Sequence, residues 1–205
     1  VEMDEAIRDR AGTVEKTRIV CRSGDPMDMA DISRVSINTS RSIIILSPEE
    51  SDDPDAEVIK VILAITNHPE RRKEPYHIVA EIRNPRNVEI ARIVGKEELE
   101  IVKTGEIISR IIAQTCRQSG LSVVYTELLD FGGDEIYLKQ FPELIGKTYG
   151  EVLGAFNKNA LMGIRSVGKP AQLNPPKDFV LRAGDELVLL AEDDDKVFVN
   201  GKGMI

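Results

Sequence analysis

Apolar and polar positions alternate in blocks through the first 118 residues, and these blocks predict strands that alternate with helices. The stretch 42–47 holds four large apolar residues in succession, which is typical of a strand with apolar cover on both faces, as in a parallel sheet flanked by helices. Shorter apolar runs bounded by turn residues predict strands at 17–22, 77–82 and 99–102. We therefore expect 42–47 to lie at the centre of a parallel sheet.

Helices are predicted where apolar residues recur at helical spacing between residues that can begin and end a helix. Two of them begin with a capping residue followed by proline, Asp53-Pro54 and Asn84-Pro85. Gly95 is placed to end the second of these. The predicted helices cover residues 1–11, 27–34, 54–66, 85–94 and about 107–118. Strands and helices in this order predict a doubly wound α/β domain.

The pattern changes after Gly120. Short strands are predicted at 135–138, 160–167, 178–181 and 186–191, with one short helix near 148–156. Arg182–Asp185 predicts a tight turn between two of the strands. We therefore divide the chain into an α/β domain at 1–119, a small α+β domain at 120–195 and a linker at 196–205.

Composition is that of an ordinary globular protein. Hydrophobic residues make up 41% and charged residues 30% of the 205 positions. No apolar run approaches the roughly 20 residues that a membrane-spanning helix requires, so we expect a fragment that is not embedded in a membrane. The net charge of -8 disfavours nucleic acid as a partner, because nucleic acid binds basic surfaces. Cations remain candidate ligands.

The cysteines and the start of the chain suggest its setting. Cys21 and Cys116 lack metal or redox spacing and predict buried, reduced thiols of a cytosolic protein. The chain begins at Val1 without a start methionine and contains no G-x-G-x-x-G. A dinucleotide-binding fold opens with two strands around such a glycine turn. We expect those strands to precede Val1 and to sit in the sheet between 17–22 and 42–47.

An acidic run follows the predicted central strand. It includes the candidate metal ligands Glu49, Asp52, Asp53 and Asp55. Carboxylates are the hard oxygen ligands that calcium prefers, and open α/β sheets bind ligands beyond the carboxyl ends of their strands. The spacing is not that of an EF-hand. The alternative is structural, because acids are favoured in the first turn of a helix and Asp53 also predicts a cap.

Three further positions are candidate ligand-binding residues. Glu81 ends a predicted buried strand, where it either faces a ligand or forms an ion pair with Arg83, the second candidate. Asp25 either contacts a ligand or caps the short helix that follows it. The acidic run 193–195 has the density of a calcium site but is more typical of a solvated segment.

No catalytic apparatus is visible in the sequence. His68 and His77 have no partner at metal-ligand spacing and predict ordinary surface or strand-edge positions. The basic loop 71–73 predicts a solvated surface. No arrangement of Ser, His and an acid suggests a nucleophile. We therefore do not expect an enzyme.

The two predicted domains together resemble the RCK family, the regulators of potassium conductance, which have a Rossmann-like lobe followed by a smaller TrkA-C-like lobe. Residues 17–118 are similar to the later half of the first lobe and 121–192 to the second lobe. The likeness rests on Gly24-Asp25-Pro26, Val79-Ala80-Glu81, Leu144–Thr148 and Arg182–Leu187. A closer likeness to the CASTOR/POLLUX-type channels rests on Val20–Gly24, Cys116–Gln118 and Ala191–Asp195.

The resemblance implies a cytosolic fragment of a gating ring, in which differential binding of a divalent cation, with calcium as the candidate, or of a nucleotide biases a pore. It also implies that Glu81 faces the cleft or the interface between lobes. The implied partners are an upstream transmembrane pore domain of the same chain and further copies, dimers within a tetrameric ring, at the cytoplasmic face of a membrane. The isoleucines at 107–112 are candidates for subunit packing, although core packing is favoured. The alternatives are a freestanding regulatory subunit of a potassium transporter and, less favoured, a fragment of a nicotinamide-dependent oxidoreductase.

Overall fold

The computed structural model describes residues 18–130, 132–156, 158–193, 197 and 199. The chain divides into two units, Val1–Arg110 and Ile111–Ile205, each with its own sheet and apolar core. The predicted helix at 1–11, and the predicted linker apart from residues 197 and 199, lie outside the described residues. The predicted domain boundary after residue 119 stays a prediction.

The first unit is built on a parallel sheet with the strand order β1-β2-β3. The strands are β1 (Ile43–Ile45), β2 (Ile78–Glu81) and β3 (Leu99–Val102). Ile43 lies opposite Ile78, and Ile78 lies opposite Leu99. Because the strands are parallel and in step, their carboxyl ends lie at the same edge of the sheet.

From residue 18 onward, the helices that lie in this unit or begin in it are α1 (Met29–Arg34), α2 (Pro54–Thr66), α3 (Val88–Gly95) and α4 (Thr104–Arg117). Short 3-10 turns lie at Ile37–Thr39, Pro85–Asn87 and Lys96–Glu98. Asp53 caps α2 by accepting a backbone N–H of the first turn at 3.2 Å, and Pro54 follows it. Asn84 caps the turn that precedes α3 in the same way, followed by Pro85. Both predicted cap-and-proline starts are confirmed.

The core of the first unit lies between α2 and the sheet. The apolar stripe of α2, with Val58, Ile62 and Ile65, is buried together with Ile78 and Ala80 of β2. Burying an aliphatic side chain of this size stabilises the fold by about 1.5–3 kcal/mol relative to leaving it exposed. The predicted stripe of this helix is therefore confirmed.

β1 does not have the cover on both faces that we predicted. Ile44 and Leu46 are 69% and 73% exposed, while Ile45 between them is buried. The strand is an edge strand in the part of the chain that the structure describes. Side chains of a strand point alternately to its two faces. Only the face of Ile45 joins the core formed with α2, so Ile44 and Leu46 remain open to solvent.

The stretch before α1 also differs from the prediction. Residues 18–22 have no regular secondary structure, because a strand requires a neighbouring backbone to pair with. Residues 22–26 and 43–46 instead line a cleft of about 420 Å³. The expectation of two further strands between 17–22 and 42–47 stays a prediction.

α3 ends at Gly95, as predicted. The positive φ at the helix end is not at the glycine, however, because Gly95 has an ordinary φ of -83° and Lys96 has a φ of 51°. A Cβ atom at position 95 would collide with the side chain of Leu99. Glycine is therefore needed here for the close approach of β3 to the helix end.

A cluster of loop side chains joins the amino ends of the strands. Tyr76 is 3% exposed, and the guanidinium carbons of Arg72 and Arg71 lie 4.6 and 5.1 Å from its ring centroid. Its hydroxyl donates to Asn38, and Arg71 donates to Glu98 at 2.7 Å. We call these five residues the amino-end cluster. The prediction of a merely solvated basic loop is wrong for both arginines.

Several predictions of burial are also wrong. His68 is buried at 6% exposure, and its Nδ1 accepts the N–H of Glu70 at 3.1 Å. Cys21 is half-buried and Cys116 is exposed, although both were predicted to be buried. Cys116 is exposed because α4 buries none of its side chains among the described residues. The isoleucines of α4 are likewise not core residues, since Ile107, Ile108 and Ile112 are 46–58% exposed.

The second unit has an antiparallel sheet with the strand order β4-β7-β5-β6. Its strands are β4 (Glu135–Lys139), β5 (Ala160–Arg165), β6 (Gln172–Leu173) and β7 (Glu186–Ala191). Its helices are α5 (Leu121–Leu129) and α6 (Tyr149–Val152), with 3-10 turns at Pro142–Leu144 and Leu153–Ala155. The core gathers Tyr149, Val152, Leu187 and Leu189, all nearly inaccessible.

The pattern predicted most of this unit. The short helix begins at Thr148, whose side chain forms a reciprocal capping box with Glu151. The turn before β7 is confirmed, with the N–H of Asp185 donating to the carbonyl of Arg182 at 3.1 Å. The predicted strand at 178–181 is reduced to a single bridge between Val180 and Thr148. α5 and β6 were not predicted.

Candidate functional site

Glu81 lies at the centre of a polar cluster at the carboxyl ends of the parallel strands. Its Oε2 accepts the backbone N–H of Ser47 at 3.0 Å, and its Oε1 accepts the hydroxyl of Thr104 at 3.0 Å. The Nε of Arg83 lies 3.5 Å from Oε1. One carboxylate therefore links the ends of β1 and β2 to the start of α4. We call Ser47, Asp55, Glu81, Arg83 and Thr104 the carboxyl-end cluster.

The topology brings these residues together. Glu81 is the last residue of β2, Ser47 follows the end of β1, and Thr104 is the first residue of α4, shortly after β3. Parallel strands end at the same edge of a sheet, and ligands of open α/β sheets bind beyond that edge. The cluster therefore occupies the edge at which we predicted a ligand site.

Asp55 holds the loop that carries Arg83. It is 2% exposed, and its two carboxylate oxygens accept the N–H groups of Arg83 and Asn84, both at 2.9 Å, and the side-chain amide of Asn87 at 2.8 Å. Burial raises the pKa of this carboxyl. The N–H donors and the charge of Arg83 outweigh that effect, so the pKa of Asp55 lies below its ordinary value of 3.8.

Two groups of the carboxyl-end cluster could bind a ligand, the hydroxyl of Ser47 and the guanidinium of Arg83. The hydroxyl oxygen of Ser47 is buried and has no hydrogen-bond partner among the described residues, and an unpaired buried hydroxyl is costly. The side chain of Arg83 is 41% exposed, while that of Glu81 is 18% exposed. Arg83 also donates to the carbonyl of Ser47 at 3.1 Å. The cluster is thus accessible from solvent through its arginine.

The predicted acidic run does not converge on one point. Glu49 and Asp52 are exposed, Asp53 caps α2, and Asp55 faces inward to the loop of Arg83. Across the residues that the structure describes, no three His, Cys, Asp or Glu side chains are grouped as ligands for one metal ion. A calcium site at this run stays a prediction that no contact in the structure supports.

Asp25 lies apart from these contacts. Its carboxylate accepts the N–H of Met27 at 2.8 Å, and its own N–H donates to Asp31 at 2.9 Å. The residue that caps α1 is Asp28, so the predicted alternative of a cap at Asp25 is wrong. Asp25 is exposed and lines the cleft beside β1. Of the acidic run 193–195, only residue 193 is described.

Sequence reasoning identified Glu81, Arg83 and Asp55 but missed Ser47 and Thr104. A signal for both was present, since Ser47 is the last residue of the predicted strand 42–47 and Thr104 lies two residues after the predicted strand 99–102. Their pairing with Glu81 depends on strand order, because the partners are 34 and 23 residues distant along the chain.

Comparison with known proteins finds ion-channel sequences that are similar to this chain. Residues 105–203 match the family described as Castor and Pollux, part of voltage-gated ion channel. The chain is 36% identical over 182 residues to the probable ion channel POLLUX of Oryza sativa subsp. japonica, covering 87% of this chain and 19% of the relative. It is 34% identical over 197 residues to the probable ion channel CASTOR of the same organism, covering 95% of this chain and 22% of the relative. The chain therefore spans about a fifth of the length of these relatives.

The fold also has a counterpart among solved structures. The gating ring of human SLO3 superimposes with a TM-score of 0.64 at 20% sequence identity, over 85% of this chain and 37% of that chain. A likeness at this identity concerns the fold alone. The predicted fold class is confirmed by it, and the resemblance found in the sequence is confirmed by the sequence relatives.

Proposed function

We infer that this chain, which is related over most of its length to the CASTOR and POLLUX ion channels, is a ligand-sensing regulatory domain of a cation channel. The observation that carries the proposal is the position of Glu81. Its carboxylate is at once the polar end of β2 and the link to the first residue of α4. A ligand that competes for this carboxylate acts directly on the start of that helix.

The proposed mechanism is an exchange of partners. A divalent cation is coordinated by oxygen ligands and repels guanidinium groups, so a cation bound by Glu81 displaces Arg83 and takes the oxygen that accepts from Thr104. A bound cation and the hydrogen bond from Thr104 to Glu81 therefore exclude each other. The two arrangements differ in affinity for the cation, and that difference biases the conformational equilibrium.

The proposed setting is a homo-oligomeric ring attached to a pore domain of the same polypeptide at the cytoplasmic face of a membrane. In the part of the chain that the structure describes, no helix combines the length and the apolar character needed to cross a bilayer. The exposed isoleucines of α4 support contact with other subunits, because apolar side chains are normally covered in an assembly. No enzymatic activity is proposed.

Isothermal titration calorimetry with calcium chloride tests the ligand. We expect heat of binding with a Kd at or below the order of 10⁻³ M, the range of weak calcium sites, and at least tenfold weaker binding in Glu81→Ala. The matched control is Glu89→Ala, which removes an exposed carboxylate from α3 and is expected to leave the affinity unchanged. No heat at millimolar calcium contradicts the calcium proposal.

Two further measurements locate the site and its effect. Asp52→Ala separates the acidic run from Glu81, because a loss of binding in that variant alone places calcium on the run and contradicts the proposed exchange. Hydrogen exchange of the first turn of α4 is expected to accelerate when calcium is added, since Thr104 loses its acceptor. Unchanged exchange despite bound calcium contradicts the coupling to the helix. Titration with a nucleotide in place of calcium tests the other predicted ligand on the same variants.

A further inference from the structure

Arg83 occupies the place in the carboxyl-end cluster where a bound cation would lie. Its guanidinium contacts two kinds of oxygen, the carboxylate of Glu81, with Nε 3.5 Å from Oε1, and the backbone carbonyl of Ser47, which accepts from the guanidinium at 3.1 Å. Carboxylate and carbonyl oxygens are also the ligands that calcium takes in proteins. The arginine therefore supplies positive charge to oxygens that are suited to a metal ion.

Arg83 is the positive charge that balances Glu81. Among the described residues, it is the one basic side chain within ion-pair distance of that carboxylate. Lys103, which directly precedes Thr104, pairs instead with Glu106 at 2.9 Å. The side chain of Glu81 is only 18% exposed, so its charge is poorly screened by solvent once Arg83 is removed. Loss of this arginine therefore leaves a carboxylate that attracts another cation.

The backbone of Arg83 is anchored, whereas its guanidinium is partly open to solvent. The buried carboxylate of Asp55 accepts the N–H groups of Arg83 and Asn84, both at 2.9 Å. Beyond this anchor, the side chain of Arg83 is 41% exposed, so the guanidinium can turn into solvent while the loop stays in place. A charged group anchored so close to Glu81 competes for it at a high effective concentration.

Ser47 is a second indication of a ligand at this place. Its hydroxyl oxygen is buried and has no hydrogen-bond partner among the described residues, in a residue that is 6% exposed. Its backbone N–H donates to Glu81, and its carbonyl accepts from Arg83. A cation held by Glu81 in place of Arg83 therefore has further oxygens of the same serine as candidate ligands.

We propose that Arg83 is a tethered cation that makes the site at Glu81 selective for divalent over monovalent ions. A monovalent ion has the charge of the guanidinium itself, so it gains no attraction to Glu81 at equal distance and does not replace the hydrogen bond to Ser47. A divalent ion is attracted twice as strongly at that distance, and oxygen ligands compensate its lost hydration. The inference adds ion selectivity to the proposed function and rests on it for the divalent ion.

The alternative role is an ion pair that only stabilises this edge of the sheet. Under that role, Arg83→Gln loses stability to the same extent in any monovalent salt. A tethered cation instead leaves a site that small monovalent ions can fill when the arginine is absent. Potassium chloride and choline chloride at equal ionic strength distinguish the two roles, because choline is too bulky to be coordinated by the same oxygens.

Thermal unfolding in these two salts tests the proposal on the full 205-residue chain. We expect potassium, relative to choline, to raise the unfolding temperature of Arg83→Gln by about 3 °C or more, the shift for an ion at a few times its Kd. The native chain and Arg86→Gln, which removes an exposed arginine from the same loop, are expected to shift by less than about 1 °C. No potassium response in Arg83→Gln, or an equal response in either of the others, overturns the proposal.

Two further variants locate the effect. Arg83→Lys restores a positive charge and is expected to respond to potassium as little as the native chain does. Glu81→Gln combined with Arg83→Gln removes the carboxylate and is expected to abolish the response. A potassium response of the size seen in Arg83→Gln in either variant overturns the proposal, because the ion then acts without regard to the charge at position 83 or to Glu81.

Calorimetry with calcium chloride tests the divalent ion. In choline chloride, Arg83→Gln is expected to bind calcium about tenfold more tightly than the native chain, because no tethered charge competes. Potassium in place of choline is expected to weaken calcium binding about threefold in Arg83→Gln and to leave the Kd of the native chain unchanged. Potassium competing with calcium in the native chain overturns the proposal, and this comparison stands even if Arg83→Gln does not fold.

The inference and the proposed function can fail separately. A native chain that binds no calcium contradicts the proposed function, while the potassium response of Arg83→Gln still decides the role of Arg83. Equal calcium affinities of Arg83→Gln and the native chain overturn the role of Arg83, while the calcium site at Glu81 stands.

Discussion

Both ends of the parallel sheet carry an ion pair between an arginine and a glutamate, but the two ion pairs differ in solvent exposure and in their neighbours. At the amino ends, Arg71 and Arg72 lie against the buried ring of Tyr76, and Arg71 is 27% exposed in its ion pair. At the carboxyl ends, Arg83 is 41% exposed, and its Nε stands 3.5 Å from Glu81. The contacts at the first end surround an aromatic ring, while those described at the second are hydrogen bonds and one ion pair.

We interpret the amino ends of the strands as a structural scaffold and the carboxyl ends as the candidate ligand site. Removing the ring of Tyr76 would leave a cavity, so the amino-end cluster cannot rearrange without loss of packing. The partners of Glu81 are a hydroxyl, a backbone N–H and a half-exposed guanidinium, each of which water or a ligand can replace at small cost. A parallel sheet can therefore be fixed at its amino ends while its carboxyl ends remain free to respond.

The largest expected effect is at the amino ends. Tyr76→Ala is expected to lower the free energy of unfolding of the first unit by about 3–5 kcal/mol, the usual cost of truncating a buried aromatic residue. Urea denaturation combined with hydrogen exchange of β2 measures it and assigns the loss to this unit. Tyr76→Phe keeps the ring and is expected to cost only about 1 kcal/mol for the lost hydrogen bond to Asn38. A larger cost for the phenylalanine variant would contradict the assigned role of the ring.

Asp55 is expected to show the next largest effect. Asp55→Ala leaves the N–H groups of Arg83 and Asn84 and the amide of Asn87 without their acceptor, which we expect to cost about 2–4 kcal/mol. The same denaturation experiment measures it. Asp52→Ala, at an exposed position in the same acidic run, is the matched control and is expected to change stability by less than about 0.5 kcal/mol. Equal effects of the two substitutions would show that Asp55 does not hold the loop.

Glu81→Gln is expected to cost much less, about 1 kcal/mol, because the amide retains one acceptor oxygen and the site is partly exposed. Its effect on calcium binding is expected to exceed its effect on stability. A stability loss as large as that of Tyr76→Ala would make the carboxyl-end cluster a scaffold and remove the distinction between the two ends.

The smallest expected effect is a change in stability at low pH that depends on Asp55. The pKa of Asp55 is lower in the folded chain than its ordinary value of 3.8, so its ionised form contributes stability above about pH 4 that is lost as the pH falls through the folded-state pKa. Asp55→Asn does not titrate, so the gap in stability between it and the native chain is expected to narrow below pH 4. Urea denaturation from pH 3 to pH 7 measures the gap, and a constant gap would contradict the assigned ionisation.

Local signals predicted the elements that depend on local chemistry. The Asp53-Pro54 pair begins α2, Leu99–Val102 is a strand with the predicted bounds, and Thr148 caps α6. In each case a cap, a proline or an apolar run acts within a few residues. The position of Glu81 at the end of a strand was predicted in the same way, and β2 does end at Glu81; its role in ligand binding stays a prediction.

The failures concern partners that lie far along the chain. Whether the side chains of β1 are buried depends on which elements pack against the strand. The exposure of Ile44 therefore could not be derived from the apolar run 43–46, and the absence of a strand at 18–22 could not be derived from its own residues. Asp55 belongs to an acidic run in the sequence, yet its acceptors are used by groups 28–32 residues ahead. Charge density along a chain does not determine which way each carboxylate faces.

The open face of β1 has a practical consequence for anyone who produces this polypeptide by itself. Among the residues that the structure describes, Ile44 and Leu46 are exposed apolar side chains beside a backbone edge that pairs with no further strand, a combination that promotes precipitation during expression and concentration. Placing lysine at position 44 is expected to raise the soluble yield while leaving the buried neighbour Ile45 untouched.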